Sequence, residues 1–191
     1  VLNKEILRHI TSTIYKLSDD DLDLLTSCAF VKHLKKGEAL LRQGEICRSL
    51  YFVERGYLRT FYDRDGTVVN MNFTFEGNFT TDVKSFKSKE PSEIMIEAGE
   101  DVSVLVFDIS GLSGKYPSGS QIPTFIRRLA IGLLLASESH NELLKLHTPT
   151  ERYRCIELNQ PSLLQRVSLS QIASYLGVAR ETLSRIRGRI E

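Results

Sequence analysis

Near the end of this 191-residue chain, Arg180, Glu181, Ser184 and Arg185 recur at the spacing of neighbouring positions on a helix surface. At about 100° per residue they share one side with Gly188, while Ala179, Leu183, Ile186 and Ile190 share the other. A guanidinium donates in a planar fork that matches O6 and N7 of guanine, a carboxylate accepts from the amino group of cytosine, and a hydroxyl suits a phosphate oxygen. This face therefore implies hydrogen bonding to the edges of base pairs, with Arg187 and Arg189 flanking it as phosphate contacts. A solvated amphipathic helix laced with salt bridges would account for the same charges. It does not account for the residues that come before them.

A helix that reads bases has to be propped with its polar side outward, and the preceding segment has the residue types for that. Ser168 and Gln171 predict a capping box opening a first helix, Ala173 is small where a second helix must cross closely, and Gly177 supplies the positive φ of a tight turn. Val178, Leu183 and Ile186 close the small core between the two helices, and Ser170 and Thr182 stand nearby as supporting polar or phosphate contacts. The spacing predicts a helix-turn-helix over roughly residues 168 to 190.

Charge is distributed accordingly. The whole chain carries a net charge of only +1, so any affinity for a polyanion depends on where the cations lie. From Thr148 onward every basic residue is arginine and the net charge is +3, which leaves −2 for the rest.

Upstream, a long helix from about Thr124 to His147, roughly 36 Å at 1.5 Å per residue, is apolar on every side at its centre, Leu129 to Ala136. Such a helix must be covered all round. One face on its own domain and another on a second copy is the economical solution, with Leu129, Leu133, Ala136 and Leu143 along the seam of a two-fold dimer. Thr148-Pro149 ends this helix, since proline disfavours helical geometry in the residue before it.

From Ala29 to Phe107 short alternating runs are broken by glycine turns, which predicts an antiparallel jelly roll or barrel. In one run Val69, Met71, Phe73 and Phe75 are expected to face inward, and Val68, Asn70, Asn72 and Thr74 outward. Residues 2 to 27 read as helical, with Ser18 capping a turn that opens on Asp19, Asp20 and Asp21. The fold class is thus α+β: an N-terminal β jelly roll with leading helices over 1–120, a dimerisation helix over 121–147, and a C-terminal helix-turn-helix over 148–191.

Several classes are disfavoured. With 41% hydrophobic and 26% charged residues the composition is that of an ordinary globular protein, and no apolar run approaches the length of a bilayer span. Val1 to Ile10 lacks the pattern of an export signal, and Cys28, Cys47 and Cys155 are scattered, which fits a reducing cytoplasm. Three dispersed thiols do not make an iron–sulfur site, His9, His33, His140 and His147 form no HxH or HExxH spacing, and neither a nucleophile elbow nor a phosphate loop occurs. No catalytic constellation emerges, so an enzyme is not expected.

Taken together, Lys36-Gly37-Glu38, Gly44-Glu45, Tyr51-Phe52-Val53, Gly56, the long helix and above all Arg180-Glu181-Thr182-Leu183-Ser184-Arg185 resemble the catabolite-activator and Fnr (Crp-Fnr) superfamily of bacterial regulators over nearly the whole chain. The resemblance implies a cyclic-nucleotide-binding-like barrel and base reading by Arg180, Glu181 and Arg185. It also implies partners: double-stranded DNA, a second copy of the chain, RNA polymerase and a small-molecule effector, with no membrane. Ala179 departs from the serine or threonine cap common in the family, and Glu191 leaves little chain for a following wing.

In the family's nucleotide cassette a Gly-Glu pair holds the ribose and an Arg-Ser or Arg-Thr pair the cyclic phosphate. Here the matching stretch is read as Gly77-Asn78, and no arginine stands at the phosphate position, so cyclic AMP is not the expected effector and no cofactor is assigned. Asn78, Thr80, Thr81 and Ser92 are the polar groups left for another ligand. The competing function is a ligand-binding signalling module whose C-terminal domain contacts protein instead of DNA.

Overall fold

The computed structural model describes residues 4–112 and 116–190, with the side chain of Ile190 left aside. Leu2 of the expected first helix, the Ile190 side chain on the apolar face of the last helix, and Glu191 therefore lie outside the described residues. The chain opens with α1 (Lys4–Ser12) and α2 (Asp19–Ser27), the latter capped by Ser18, whose side chain accepts from the Asp21 amide.

Among the described residues eight strands follow: β1 (Ala29–Leu34), β2 (Ala39–Leu41), β3 (Ser49–Arg55), β4 (Leu58–Arg64), β5 (Thr67–Thr74), β6 (Phe79–Thr80), β7 (Met95–Ala98) and β8 (Val102–Asp108). They form two four-stranded antiparallel sheets, ordered β1-β8-β3-β6 and β2-β7-β4-β5. Leu34, Val53, Leu58, Ile96 and Val104 fill the interior of this β roll, each fully buried aliphatic side chain contributing about 1.5–3 kcal/mol. The turn that carries the chain from β3 in one sheet to β4 in the other needs glycine at position 56, where φ is +84° and a Cβ would lie 2.7 Å from the Asp101 carbonyl oxygen.

β5 differs from its expected alternation. Asn72 pairs with Thr60 but Asn70 pairs with Phe61, so Met71 is the extra residue of a β-bulge. The bulge turns the strand over. Asn70 and Phe73 are buried, whereas Val69 and Met71, expected inside, are 46% and 45% exposed.

After β6, Asp82 caps a short helix α3 (Val83–Ser88), accepting from the Ser85 amide. The long helix α4 (Ile122–Leu146) then crosses the outside of the β1-β8-β3-β6 sheet. Ile122, Phe125 and Leu129 pack with Phe52, Phe79 and Phe107 of that sheet and with Leu7, Leu22 and Leu25 of the leading helices. Its N-terminus is closed by the buried carboxylate of Asp21, which accepts from Ser120 Oγ at 2.6 Å and from the Gln121 amide at 2.9 Å. An anion at the positive end of a 25-residue helix is favourably placed.

Of the residues expected at a dimer seam, Leu129 alone is buried within its own chain and Ala136 is exposed. Leu129 is buried, Leu133 packs on the same cluster, Ala136 borders cavities against the β roll, and Leu143 is half-buried. A heptad spacing identifies a stripe without saying which way it faces, and the first part of this one, Leu129 and Leu133, packs on its own chain. The opposite stripe leaves Ile131, Leu134 and Leu135 50%, 56% and 62% exposed.

A capping box at Thr148 and Glu151 starts α5 (Pro149–Asn159), and Pro161 starts α6 (Pro161–Arg166), a helix not expected from sequence. Then come α7 (Leu169–Tyr175) and α8 (Arg180–Ile190).

Candidate nucleic-acid interface

Ser168 caps α7 by accepting from the Gln171 amide at 3.4 Å, and its hydroxyl lies 3.1 Å from the Gln171 side-chain oxygen. At the other end the chain turns sharply at Gly177, where φ is +63° and the amide donates to the Ser174 carbonyl oxygen. The Val178 amide donates to the carbonyl oxygen of Ala173, which is buried at the crossing of the two helices.

Beyond the turn, α8 sets Leu183 and Ile186 into a core completed by Tyr153, Ile156, Leu163, Val167, Ile172 and Leu176. That anchoring fixes the rotation of α8. Arg180, Glu181, Ser184 and Arg185 are exposed together and, with Leu169 of α7, border one shallow concavity. Ser170 is exposed at the start of α7, Thr182 is half-buried, and Arg187 and Arg189 are exposed further along α8. Glu181 sits in the first turn of α8, where a negative charge suits the helix dipole, and the Arg185 Nε–H reaches the Glu181 carbonyl oxygen at 3.4 Å.

The helix-turn-helix rests on the β4–β5 hairpin. Ser174 accepts from the Asn70 amide at 3.0 Å and donates to the Val68 carbonyl oxygen at 3.1 Å, while Asn70 Nδ2 donates to the Gln171 carbonyl oxygen. Tyr175 meets Phe73 edge-on at 5.4 Å and stacks on His140 of α4 at 4.0 Å. At the end of α6, Arg166 forks onto Glu76 at 2.7 and 2.8 Å, pairs with Glu100, and lies over Phe75 and Tyr57. The guanidinium holds the Glu76 carboxyl well below its ordinary range, at about 2. Asn70, Ser174 and Arg166 have no local sequence signature for this contact, which spans about a hundred residues.

Of the four polar residues expected to form a ligand pocket, the structure brings two together. Thr80 and Thr81 line a cavity of about 210 Å³ between the β roll, α3, α4 and Tyr175. Asn78 lies elsewhere, its amide donating to the Phe75 and Glu76 carbonyl oxygens of its own turn. Ser92 is buried and engaged, donating to Asp82 at 2.7 Å. Asp82, Lys84, Ser137 and His140 border the cavity instead. Burial pushes the His140 imidazole below its ordinary 6.5, and Arg152 adds to this while the Tyr175 backbone opposes it. Among the described residues, no cluster of His, Cys, Asp and Glu could hold a metal ion, and no helix is long and apolar enough to cross a membrane.

Comparison with known proteins matches residues 31–114 to the cyclic nucleotide-binding domain family. The chain is 25% identical to the fumarate and nitrate reduction regulatory protein of Yersinia pestis over 93% of its own length and 75% of that protein's. Among solved structures it resembles FixK2 from Bradyrhizobium japonicum, with a TM-score of 0.72, 23% identity and coverage of 85% of this chain and 84% of that one. It also resembles the c-di-GMP responsive global regulator CLP of Xanthomonas campestris, with a TM-score of 0.69, 16% identity and 91% of each chain covered. A Crp/Fnr-family transcriptional regulator from Thermus thermophilus matches with a TM-score of 0.61 at 19% identity, over 84% of this chain and 85% of that one.

Proposed function

We propose, from the match of residues 31–114 to the cyclic nucleotide-binding domain family and the likeness of the fold to Crp/Fnr regulators, that this chain is a transcription regulator that binds DNA sequence-specifically as a homodimer. One observation carries this reading: α8 buries Leu183 and Ile186 against its own core while Arg180, Glu181, Ser184 and Arg185 remain exposed side by side. In this reading α8 enters the major groove, Arg180 and Arg185 fork onto guanines, Glu181 accepts from cytosine, and Ser170, Thr182, Ser184, Arg187 and Arg189 support by base or phosphate contacts. That work lies in the cytoplasm.

The dimer seam is assigned to the exposed stripe of α4, Ile131, Leu134 and Leu135, whose clustering suits burial against a second copy. A two-fold dimer would meet half-sites about 34 Å apart, one helical turn of DNA. The cavity beside Thr80 and Thr81 is smaller than the roughly 300–1,000 Å³ of pockets that enclose small organic ligands. Its borders also carry the Asp82 carboxyl, which disfavours a cyclic phosphate, while the Lys84 ammonium beside it is already paired with Glu93. Cyclic AMP is accordingly not proposed as the effector.

Selection of bound sequences from a randomised duplex pool tests the proposal. Enrichment of a two-fold symmetric site, with affinity falling steeply as salt is raised, is the expected result. Enrichment of no sequence would overturn it.

A further inference from the structure

Arg152, near the start of α5, donates to three backbone carbonyl oxygens, two at the end of α4 and one at the end of α7. Its Nε reaches His147 at 2.8 Å, its Nη1 reaches Leu176 at 2.9 Å, and its Nη2 reaches Leu144. Leu144 lies in the last turn of α4, where carbonyls lack partners within the helix, and His147 and Leu176 are the residues that end α4 and α7. One planar cation thus ties together the end of the long helix, the start of α5 and the turn before α8. Lysine could not reproduce the fork, because its three donors sit on one atom.

The corner between α4 and α5 does not depend on this residue for its existence. Pro149 and the capping box define it: Glu151 accepts from the Thr148 amide at 2.7 Å, and the Thr148 hydroxyl accepts from the Glu151 amide. What Arg152 adds is the link to Leu176. The turn is seated closely there, since a Cβ at Gly177 would lie 3.5 Å from Arg152 Nη1 and 3.6 Å from Leu144 Cδ2.

We infer that Arg152 is a positioning residue that fixes the angle between the long helix and the recognition helix, and so sets the half-site spacing that the dimer accepts. This rests on the DNA-binding reading above. Geometry gives the leverage: α8 is 11 residues long, about 16 Å, so a tilt of about 10° at the joint moves its far end by about 3 Å, nearly one base-pair step of roughly 3.4 Å.

The test uses the full-length protein, the symmetric site that the wild type selects, versions of it with one base pair added or removed between the half-sites, and a single half-site duplex. Arg152→Met removes the fork and Arg152→Lys keeps the charge, so the lysine variant decides the matter if the methionine variant does not fold. Thermal melting of both variants checks that they do. For wild type, a one-base-pair change of spacing should cost about tenfold or more in affinity, comparable with the loss of one good base contact. For the variants that penalty should shrink to about threefold or less, with affinity for the single half-site within about twofold of wild type, because no base-reading group has been removed.

A variant that keeps the wild-type dependence on spacing overturns the inference. So does one that loses affinity for half-site and full site in equal proportion, which would mark Arg152 as a support of the local fold alone. If the wild type selects no sequence, the DNA-binding reading falls first, and that failure shows without any variant.

Discussion

Replacing Arg166 by alanine removes the cation that joins α6 to the β roll, and its effect can be worked out from the geometry. The Glu76 carboxyl falls from its ordinary 4.5 to about 2, chiefly because Arg166 hydrogen-bonds to it. At about 1.4 kcal/mol per tenfold change in proton affinity, that bounds the pair at roughly 3.5 kcal/mol. Glu76 and Arg166 are 39% and 28% exposed, so water screens the pair to about 1 kcal/mol. The stack on Phe75 and Tyr57 adds about 0.5–1 kcal/mol. With a smaller share from Glu100, Arg166→Ala should cost about 2 kcal/mol, or roughly 4–8 °C in Tm for a chain of this size.

The pH dependence distinguishes this cause from a general loosening. A carboxyl whose folded pKa is depressed contributes fully above its unfolded pKa of 4.5 and loses that contribution as pH falls towards about 2. Differential scanning calorimetry should therefore show the gap between wild type and variant at pH 7 and a narrowing of it below pH 4. An unchanged Tm at pH 7, or a gap of constant size down to pH 2.5, would mean that the Arg166–Glu76 pair does not stabilise the fold.

His140 gives a second pH effect of known sign. Its pKa is lowered in the fold, so the stability tied to the neutral ring is present above 6.5 and is lost as pH falls below that value. His140→Phe, which keeps the stack on Tyr175, should flatten the melting temperature between pH 7 and pH 5 relative to wild type. Asp21→Ala strips the Gln121 amide and the Ser120 hydroxyl of their acceptor and should cost about 2 kcal/mol in urea unfolding, as for a buried hydrogen bond to a charged group. Leu134→Glu sets a charge in the exposed apolar stripe of α4, and sedimentation at micromolar concentration should find a dimer for the wild type and monomer for the variant.

The helix-turn-helix was legible because its requirements are local: Gly177, Ala173 and Leu183 lie within about ten residues, and each constraint is steric. The jelly roll was legible as a class from its glycine turns. The inward side of β5 was not, because the bulge at Met71 reverses the alternation and can be seen only against the partner strand. The long helix is legible from its apolar centre, but the burial of Leu129 against its own sheet is not, since which side the β roll covers is a tertiary fact. Arg166 was counted as charge in a basic tail, yet its partners Glu76 and Glu100 lie 90 and 66 residues away. Asp21 read as a helix-start residue and also closes the start of α4, about a hundred residues on. Around the cavity, the place of Asn78 in a sequence cassette does not bring it to the site, whereas Asp82 and His140 border it from other elements.

DNA reading by this chain depends on the outward side of α8, and Arg185→Ala tests it most directly. Binding of the variant to the selected site and to its single-base substitutions, measured at fixed salt, should show a loss of about 1–3 kcal/mol with relaxed preference at one base pair in each half-site. Binding that matches wild type on every sequence would contradict the claim that this helix reads bases.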